Sequence, residues 1–298
     1  MKILAAVPMT EFGADTAAVV EWATGVEREE YDSIVVYDHV VGAQHRDRVP
    51  PITRDYDEAT PFREPLVLLG YLAALTRTVE LMTGVLILPQ RQTALVAKQT
   101  AEVSLLSRGR LTLGLGIGWN VVEYDTLGVP LTQRGKRFDE QIGLLKALWS
   151  NDLVSFDGRY HHFERVALCP RPEKPIPLVF GGGSAAAVRR AVRFGDGFLF
   201  ATPSAEALDL HGTLVEHLIA AGRAPEEFRV VVQVHARRGE EDLKRSLDHW
   251  RDKGIDGVIV STMRNRMLGA IEGEYRGAGE HLDLLGRTRE IIQEVLGG

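Results

Sequence analysis

Short, unbroken apolar runs recur along the whole chain, each followed by a segment with helical spacing. That alternation narrows the fold more than any other feature. The runs fall at 2–7, 33–37, 79–86, 110–117, 176–180, 197–201, 229–235 and 257–261. Runs of this length without polar alternation suit strands buried on both faces, as parallel strands are when helices cover them. Amphipathic stretches lie between them at 16–30, 64–76, 94–106, 184–194, 205–221 and 240–253, with a last one at about 280–296. Eight strand–helix repeats predict an α/β chain folded as a (β/α)8 TIM barrel rather than an open doubly wound sheet. The whole chain, 1–298, then reads as a single domain.

Composition removes several function classes. Hydrophobic residues make up 45% of the chain, enough for a large core, and the net charge of −6 argues against nucleic acid as a main partner. The single cysteine, Cys169, rules out an internal disulfide and fits a reducing cytoplasm. The apolar N-terminus, residues 1–8, stops too soon for a signal sequence and reads as a first strand. No window approaches the ~18 apolar residues that span a bilayer. A cytoplasmic, soluble protein without membrane contact is expected. Neither H-E-x-x-H nor a cysteine pair is present, and the adjacent His161 and His162 point to opposite faces of a strand, so no metal site is expected.

Two glycine clusters sit where apolar runs end. The first is Leu113-Gly114-Leu115-Gly116-Ile117-Gly118-Trp119-Asn120, and the second is Phe180-Gly181-Gly182-Gly183-Ser184 ahead of an Ala- and Arg-rich helical stretch. Glycines that end a strand let the backbone approach an anion, and the free amides of the following helix point at it. Gly181, Gly182, Gly183 and Ser184 are therefore candidates for holding a phosphate, with Arg189 or Arg190 adding charge unless they merely face solvent. No Gly-Lys-Ser/Thr follows, so this is not a P-loop. In the first cluster, alternation puts Gly114, Gly116 and Gly118 on one face, which predicts either a tight barrel interior or room for a flat ring. Trp119 could wall a substrate pocket or be a core residue, and Asn120 could bond ring or phosphate oxygens. His39 ends the second strand beside Asp38, on the face where barrels carry out chemistry. There the imidazole could meet a substrate oxygen, oriented by Asp38, or simply start a surface loop.

One interval breaks the rhythm. Residues 119–175, between the fourth and fifth strands, hold a helical pattern at 134–149, then an Asp157-Gly158 pair flanked by strand formers that predicts a hairpin. This reads as an insertion on the catalytic face. The loop at 40–63 reads equally as a substrate lid or a surface loop.

Four blocks, taken together, resemble the bacterial luciferase-like superfamily and its branch using the deazaflavin coenzyme F420. They are residues 31–39 (Tyr-Asp-Ser-Ile-Val-Val-Tyr-Asp-His), residues 81–89 (Leu-Met-Thr-Gly-Val-Leu-Ile-Leu-Pro), the cluster from Gly114 to Asn120, and residues 180–184 with Gly195-Asp196-Gly197-Phe198. Order and spacing match to about residue 200, and Ala97-Lys98-Gln99, Ser107-Arg108-Gly109-Arg110 and Leu148-Trp149 match too. The resemblance implies a (β/α)8 barrel with an insertion near the fourth and fifth strands. It also implies a non-prolyl cis peptide between Gly84 and Val85 that backs the ring, where sequence alone favours a bulge or close contact. His39 becomes the residue near the reactive ring carbon. Asp38, Thr83, Gly84, Val85, Gly116, Gly118, Asn120 and the segment Gly181 to Ser184 become cofactor ligands, and Trp119 a substrate contact.

Members that oxidise sugar phosphates or small alcohols carry a Trp four residues after the His and a Glu after the glycine cluster. Here those places hold Ala43 and Trp119, so the acid and the aromatic platform look absent and a larger or more apolar substrate is expected. The expected activity is F420-dependent hydride transfer to or from an organic substrate; the resemblance also implies a homodimer, for which the apolar stretch 66–75 could form the face, although a one-sided core helix would look the same. The alternative is an FMN-dependent monooxygenase using O2 and reduced flavin from a partner reductase. A non-catalytic flavin-binding barrel would tolerate His39→Ala. A phosphosugar isomerase or aldolase would need an active Lys or paired carboxylates, and none is evident at the strand ends.

Overall fold

A computed structural model describes residues 1–46, 48–49, 52, 56–264 and 275–297. Its barrel strands are β1 (Lys2–Ala6), β2 (Ser33–Val36), β3 (Glu80–Thr83, resuming at Leu86–Ile87), β4 (Leu111–Gly116), β5 (Leu178–Gly181), β6 (Gly197–Phe200), β7 (Arg229–His235) and β8 (Gly257–Ser261). Each pairs in parallel with the next in the chain, and β8 returns to β1, closing the barrel. This is the (β/α)8 architecture that the strand–helix alternation predicts.

The strands are largely apolar because both faces are covered. Side chains alternate across a strand, and the inward set of Leu4, Ala6, Val35, Met82, Val179, Leu199, Val231 and Ile259 packs as one plug inside the barrel. The outward set, Ile3, Ile34, Leu81 and Leu113 among it, packs against the surrounding helices. Several helices start where a side chain accepts a first-turn N–H: Asp15, Glu64, Ser184 and Ser204 each do so. Below the plug, Glu80 joins the strands at the N-terminal mouth. It accepts from Ser33 Oγ and Thr112 Oγ1, and Arg229 grips both its oxygens at 2.8 and 2.9 Å. Arg229 and its hydroxyl partners hold the Glu80 carboxyl below its ordinary range despite the opposing effect of burial.

Two details differ from the sequence reading. The run at 79–86 is not one strand but breaks at Gly84-Val85, where the peptide is cis, as the resemblance implies. The interval at 119–175 is not wholly an insertion. Helix Arg134–Ser150 occupies the fourth place in the helical ring, between Thr93–Leu106 and Ala185–Phe194; Lys146 bonds the Phe194 carbonyl and Arg190 bonds Asp139. What is added is the short helix Val121–Thr126 and the hairpin Val154–Asp157/His162–Val166, closed by Gly158 N–H to the His161 carbonyl at 2.8 Å. The expected loop at 40–63 lies partly outside the described residues, and with it the reading of that loop as a lid. Among the described residues, no helix is long and apolar enough to cross a membrane.

Candidate active site

The C-terminal mouth opens into a cavity of about 510 Å³. His39, Tyr56, Trp119 and Glu123 line one end, and Gly181 to Ser184 with Gly135 and Arg190 line the other. Gly84, Val85, Leu199 and Ala201 also line it. The structure thus brings His39, the Gly84-Val85 peptide, Gly116, Gly118, Trp119 and the second glycine cluster to one space, as the sequence reading expects.

At the second glycine cluster, β5 runs out at Gly181 and the helix Ala185–Phe194 begins. The Ser184 side chain accepts Ala187 N–H at 3.3 Å, so part of its capacity serves the helix itself. The earlier first-turn amides have no intrahelical acceptor and carry the positive end of the helix dipole. A Cβ built on Gly183 would meet nothing within 4 Å, so an anion can come close to this backbone. Arg190 lines the cavity while bonded to Asp139 at 2.5 Å, whereas Arg189 is exposed. These residues fit a cofactor with an anionic tail.

The first glycine cluster makes its room for the protein, not directly for a ring. A Cβ on Gly114 would lie 1.8 Å from the Thr83 carbonyl oxygen, and one on Gly116 would lie 2.5 Å from Val85 Cγ2. Gly181 similarly leaves space beside Val85 Cγ1. The broken segment of β3 therefore settles into a glycine cradle and presents its backbone to the cavity. Gly118 takes φ +65°, turning the chain out of β4. Thr83 does not reach the cavity: its fully buried hydroxyl donates to the Gly114 carbonyl at 2.7 Å.

Around His39, two expectations are corrected. Asp38 does not orient the imidazole, because its carboxylate is taken by Arg91 (2.6 and 3.2 Å) and by Ile87 N–H (2.8 Å). Burial alone would weaken the Arg91 cation, but Asp38 and Glu64 outweigh it and hold the guanidinium above its ordinary value. Nor does Asn120 face the ring region. It caps the helix Val121–Thr126, its side chain accepting Val122 N–H at 3.1 Å. That helix carries the residue the sequence reading missed. Glu123 Oε1 sits 3.2 Å from His39 Nδ1 and accepts Val40 N–H at 2.7 Å. An acid is present after all, one helical turn beyond Trp119. Asn at a cap followed three residues later by Glu is a legible helix-start signal that would have found it. The aromatic platform is also supplied from elsewhere. Tyr56 and Phe62 lie 5.0 and 4.7 Å from the His39 ring centroid, with Trp119 at 5.9 Å, while Ala43 is buried.

Opposite the glycines, the inner wall is polar. Tyr37 donates to Gln233 Oε1 at 2.8 Å, and Gln233 Nε2 lies 3.3 Å from His235 Nε2. Burial pushes the Tyr37 phenol up, so it stays protonated, and pushes His235 down to about 4, so it stays neutral.

Comparison with known proteins agrees with this architecture. An uncharacterised protein of Mycobacterium tuberculosis is 31% identical over 264 residues, covering 87% of this chain and 88% of its own. An F420-dependent glucose-6-phosphate dehydrogenase of Beutenbergia cavernae is 33% identical over 234 residues, 76% of this chain and 66% of that enzyme. Among solved structures, the monooxygenase RslO1 of Streptomyces bottropensis superposes with a TM-score of 0.73 at 18% identity, covering 99% of this chain and 98% of that one. An F420-dependent secondary alcohol dehydrogenase bound to an F420-acetone adduct superposes at 0.64, also at 18% identity, over 99% and 85%. At that identity the structural matches speak for the fold alone. Residues 3–293 match the luciferase-like monooxygenase family, and the chain belongs to it.

Proposed function

We propose that the protein is an F420-dependent oxidoreductase acting on an organic substrate held at the His39 end of the cavity. One observation carries this reading: a single cavity is lined by the Gly181 to Ser184 loop, by Gly84 and Val85, and by the His39 imidazole. The relatives named as F420-dependent glucose-6-phosphate dehydrogenases support it. So does the exposure of Gly182 to Ala186, which leaves an exit for a cofactor whose tail continues beyond its phosphate.

When bound, F420 supplies hydride transfer at C5 of its ring. The chain's own residues do the rest. Amides near Gly183 and Ser184 hold the anion, and the Gly84-Val85 backbone supports one ring face. Tyr56, Phe62 and Trp119 present apolar surface to the substrate and exclude water, which suits a larger or more apolar compound than a sugar phosphate. His39 holds or accepts a proton at the substrate oxygen. We also infer a homodimer through the helix Pro65–Leu75, whose outer face leaves Val67 70% and Tyr71 41% exposed.

Anaerobic titration tests the cofactor assignment. F420 is expected to bind tightly, and FMN at least about ten times more weakly. FMN binding as tight or tighter would favour the monooxygenase chemistry, with O2 and reduced flavin from a partner reductase. Failure of both to bind would remove the redox reading altogether.

A further inference from the structure

We propose that Glu123 is the positioning residue of His39. It holds the imidazole proton on Nδ1 and so confines proton exchange with the substrate to Nε2. The proposal rests on the reading of His39 as a substrate contact, but its geometry is independent of any cofactor.

Hydrogen-bond complementarity sets the direction of this contact. Glu123 Oε1 already accepts Val40 N–H at 2.7 Å, so it faces its second neighbour as an acceptor. That neighbour is His39 Nδ1 at 3.2 Å, which must then be the donor. A neutral imidazole carries one proton, so Nε2 is left with the lone pair. The Glu123 side chain is 2% exposed and His39 15%, so water competes poorly for this bond. The ring is also boxed in: Tyr56, Phe62 and Trp119 stand at 5.0, 4.7 and 5.9 Å between centroids. Asp38, the neighbour in sequence, is not available for the task, since Arg91 and Ile87 N–H hold it.

The local sequence supports the placement. Asn120 starts the helix Val121–Thr126 by accepting Val122 N–H, and Glu123 falls on its first turn. In a capping box such a Glu would turn back to the cap residue's own N–H. Here it reaches across to the end of β2 instead, tying the helix to His39 and Val40. A proton leaving the substrate forms a bond to His39 Nε2 as its bond to the substrate atom breaks. The Nδ1 proton stays in place, and the Glu123 carboxylate balances the imidazolium charge. The reverse passage uses the same nitrogen.

The decisive experiment is 15N NMR of the histidine rings in the cofactor-free protein, with His39 assigned by the His39→Asn variant. Wild type is expected to show a protonated Nδ1 and an unprotonated Nε2 once the ring is neutral. Glu123→Ala is expected to release this preference and give a mixture of tautomers, and Glu123→Asp to restore it in part. Glu123→Gln serves as the second variant if the alanine form does not fold; its amide can donate as well as accept, so a mixture is again expected. A proton on Nε2 in wild type, or an unchanged ring in both Glu123→Ala and Glu123→Gln, would overturn the proposal. In the loaded enzyme, kcat is expected to fall about tenfold to a hundredfold with Glu123→Gln while F420 affinity holds within about twofold. If F420 does not bind at all but the tautomer is as expected, the function assigned above fails and the positioning role stands.

Discussion

At the N-terminal mouth of the barrel, Glu80 uses both oxygens on Arg229 and adds Ser33 and Thr112, tying strands β2, β3, β4 and β7 across the opening. At the C-terminal mouth the same inward positions, two steps further along each strand or more, hold Gly84, Gly116 and Gly181 on one side and Tyr37, Gln233 and His235 on the other. His235 Nδ1 is buried there with no protein partner. One end invests its polar groups in each other. The other leaves Tyr37, Gly84, Gly116 and Gly181 lining a cavity. The contrast assigns stability to the lower end and ligand handling to the upper one, as barrels of this type commonly divide the two.

The largest effect should come from the lower end. Arg229→Ala leaves a partly buried carboxylate uncompensated and is expected to cost about 3 kcal/mol in urea unfolding, with F420 affinity unchanged in the protein that remains folded. A small loss, or a cofactor defect in fully folded protein, would break the division. At the upper end, Gly183→Val places its side chain in open space. It should weaken F420 by at least about tenfold, equivalent to about 1.4 kcal/mol, while stability shifts by less than about 0.5 kcal/mol.

Acid should separate the two ends. Burial holds both His235 and His281 at about 4, below their ordinary 6.5. Between those values the unfolded chain binds protons that the native fold refuses, so stability is full above 6.5 and falls as pH drops toward 4. Glu80 works lower: held below 4.5, it adds stability above that value and loses it as pH falls through its lowered range. Replacing His235 and His281 with Gln should remove most of the pH dependence from the upper window, leaving the lower one intact. Chemical unfolding at successive pH values reads both. The smallest effect belongs to Ser184→Ala, which removes a helix cap and should cost about 0.5–1 kcal/mol of stability, with F420 affinity little changed because backbone amides do the binding.

Much of this contrast was legible in the sequence. Apolar runs gave the strands because burial on both faces forbids alternation, and glycines at strand ends located the C-terminal mouth. Side-chain allegiance was less accessible. Asp38 and His39 are adjacent in sequence, yet they lie beyond the end of β2 and take different partners. Arg91, reached only through the fold, takes the carboxylate. Thr83 and Gly114 likewise look like ring contacts until the close approach of β3 and β4 is seen. Glu123 was missed because its partner lies 84 residues away. Its helix is only six residues long, too short for periodicity to reveal, although the Asn120 cap marks its start.

The central claim is that one cavity seats a redox ring against Gly84-Val85 with its anionic tail at Gly181 to Ser184. A crystal structure of the F420 complex tests it most directly. The tail phosphate should lie within hydrogen-bond reach of the amides around Gly183 and Ser184, one ring face should rest on the Gly84-Val85 backbone, and His39 Nε2 should face the reacting side. F420 bound elsewhere on the molecule, or a cavity closed by its own side chains with no space for a tricyclic ring, would contradict the account.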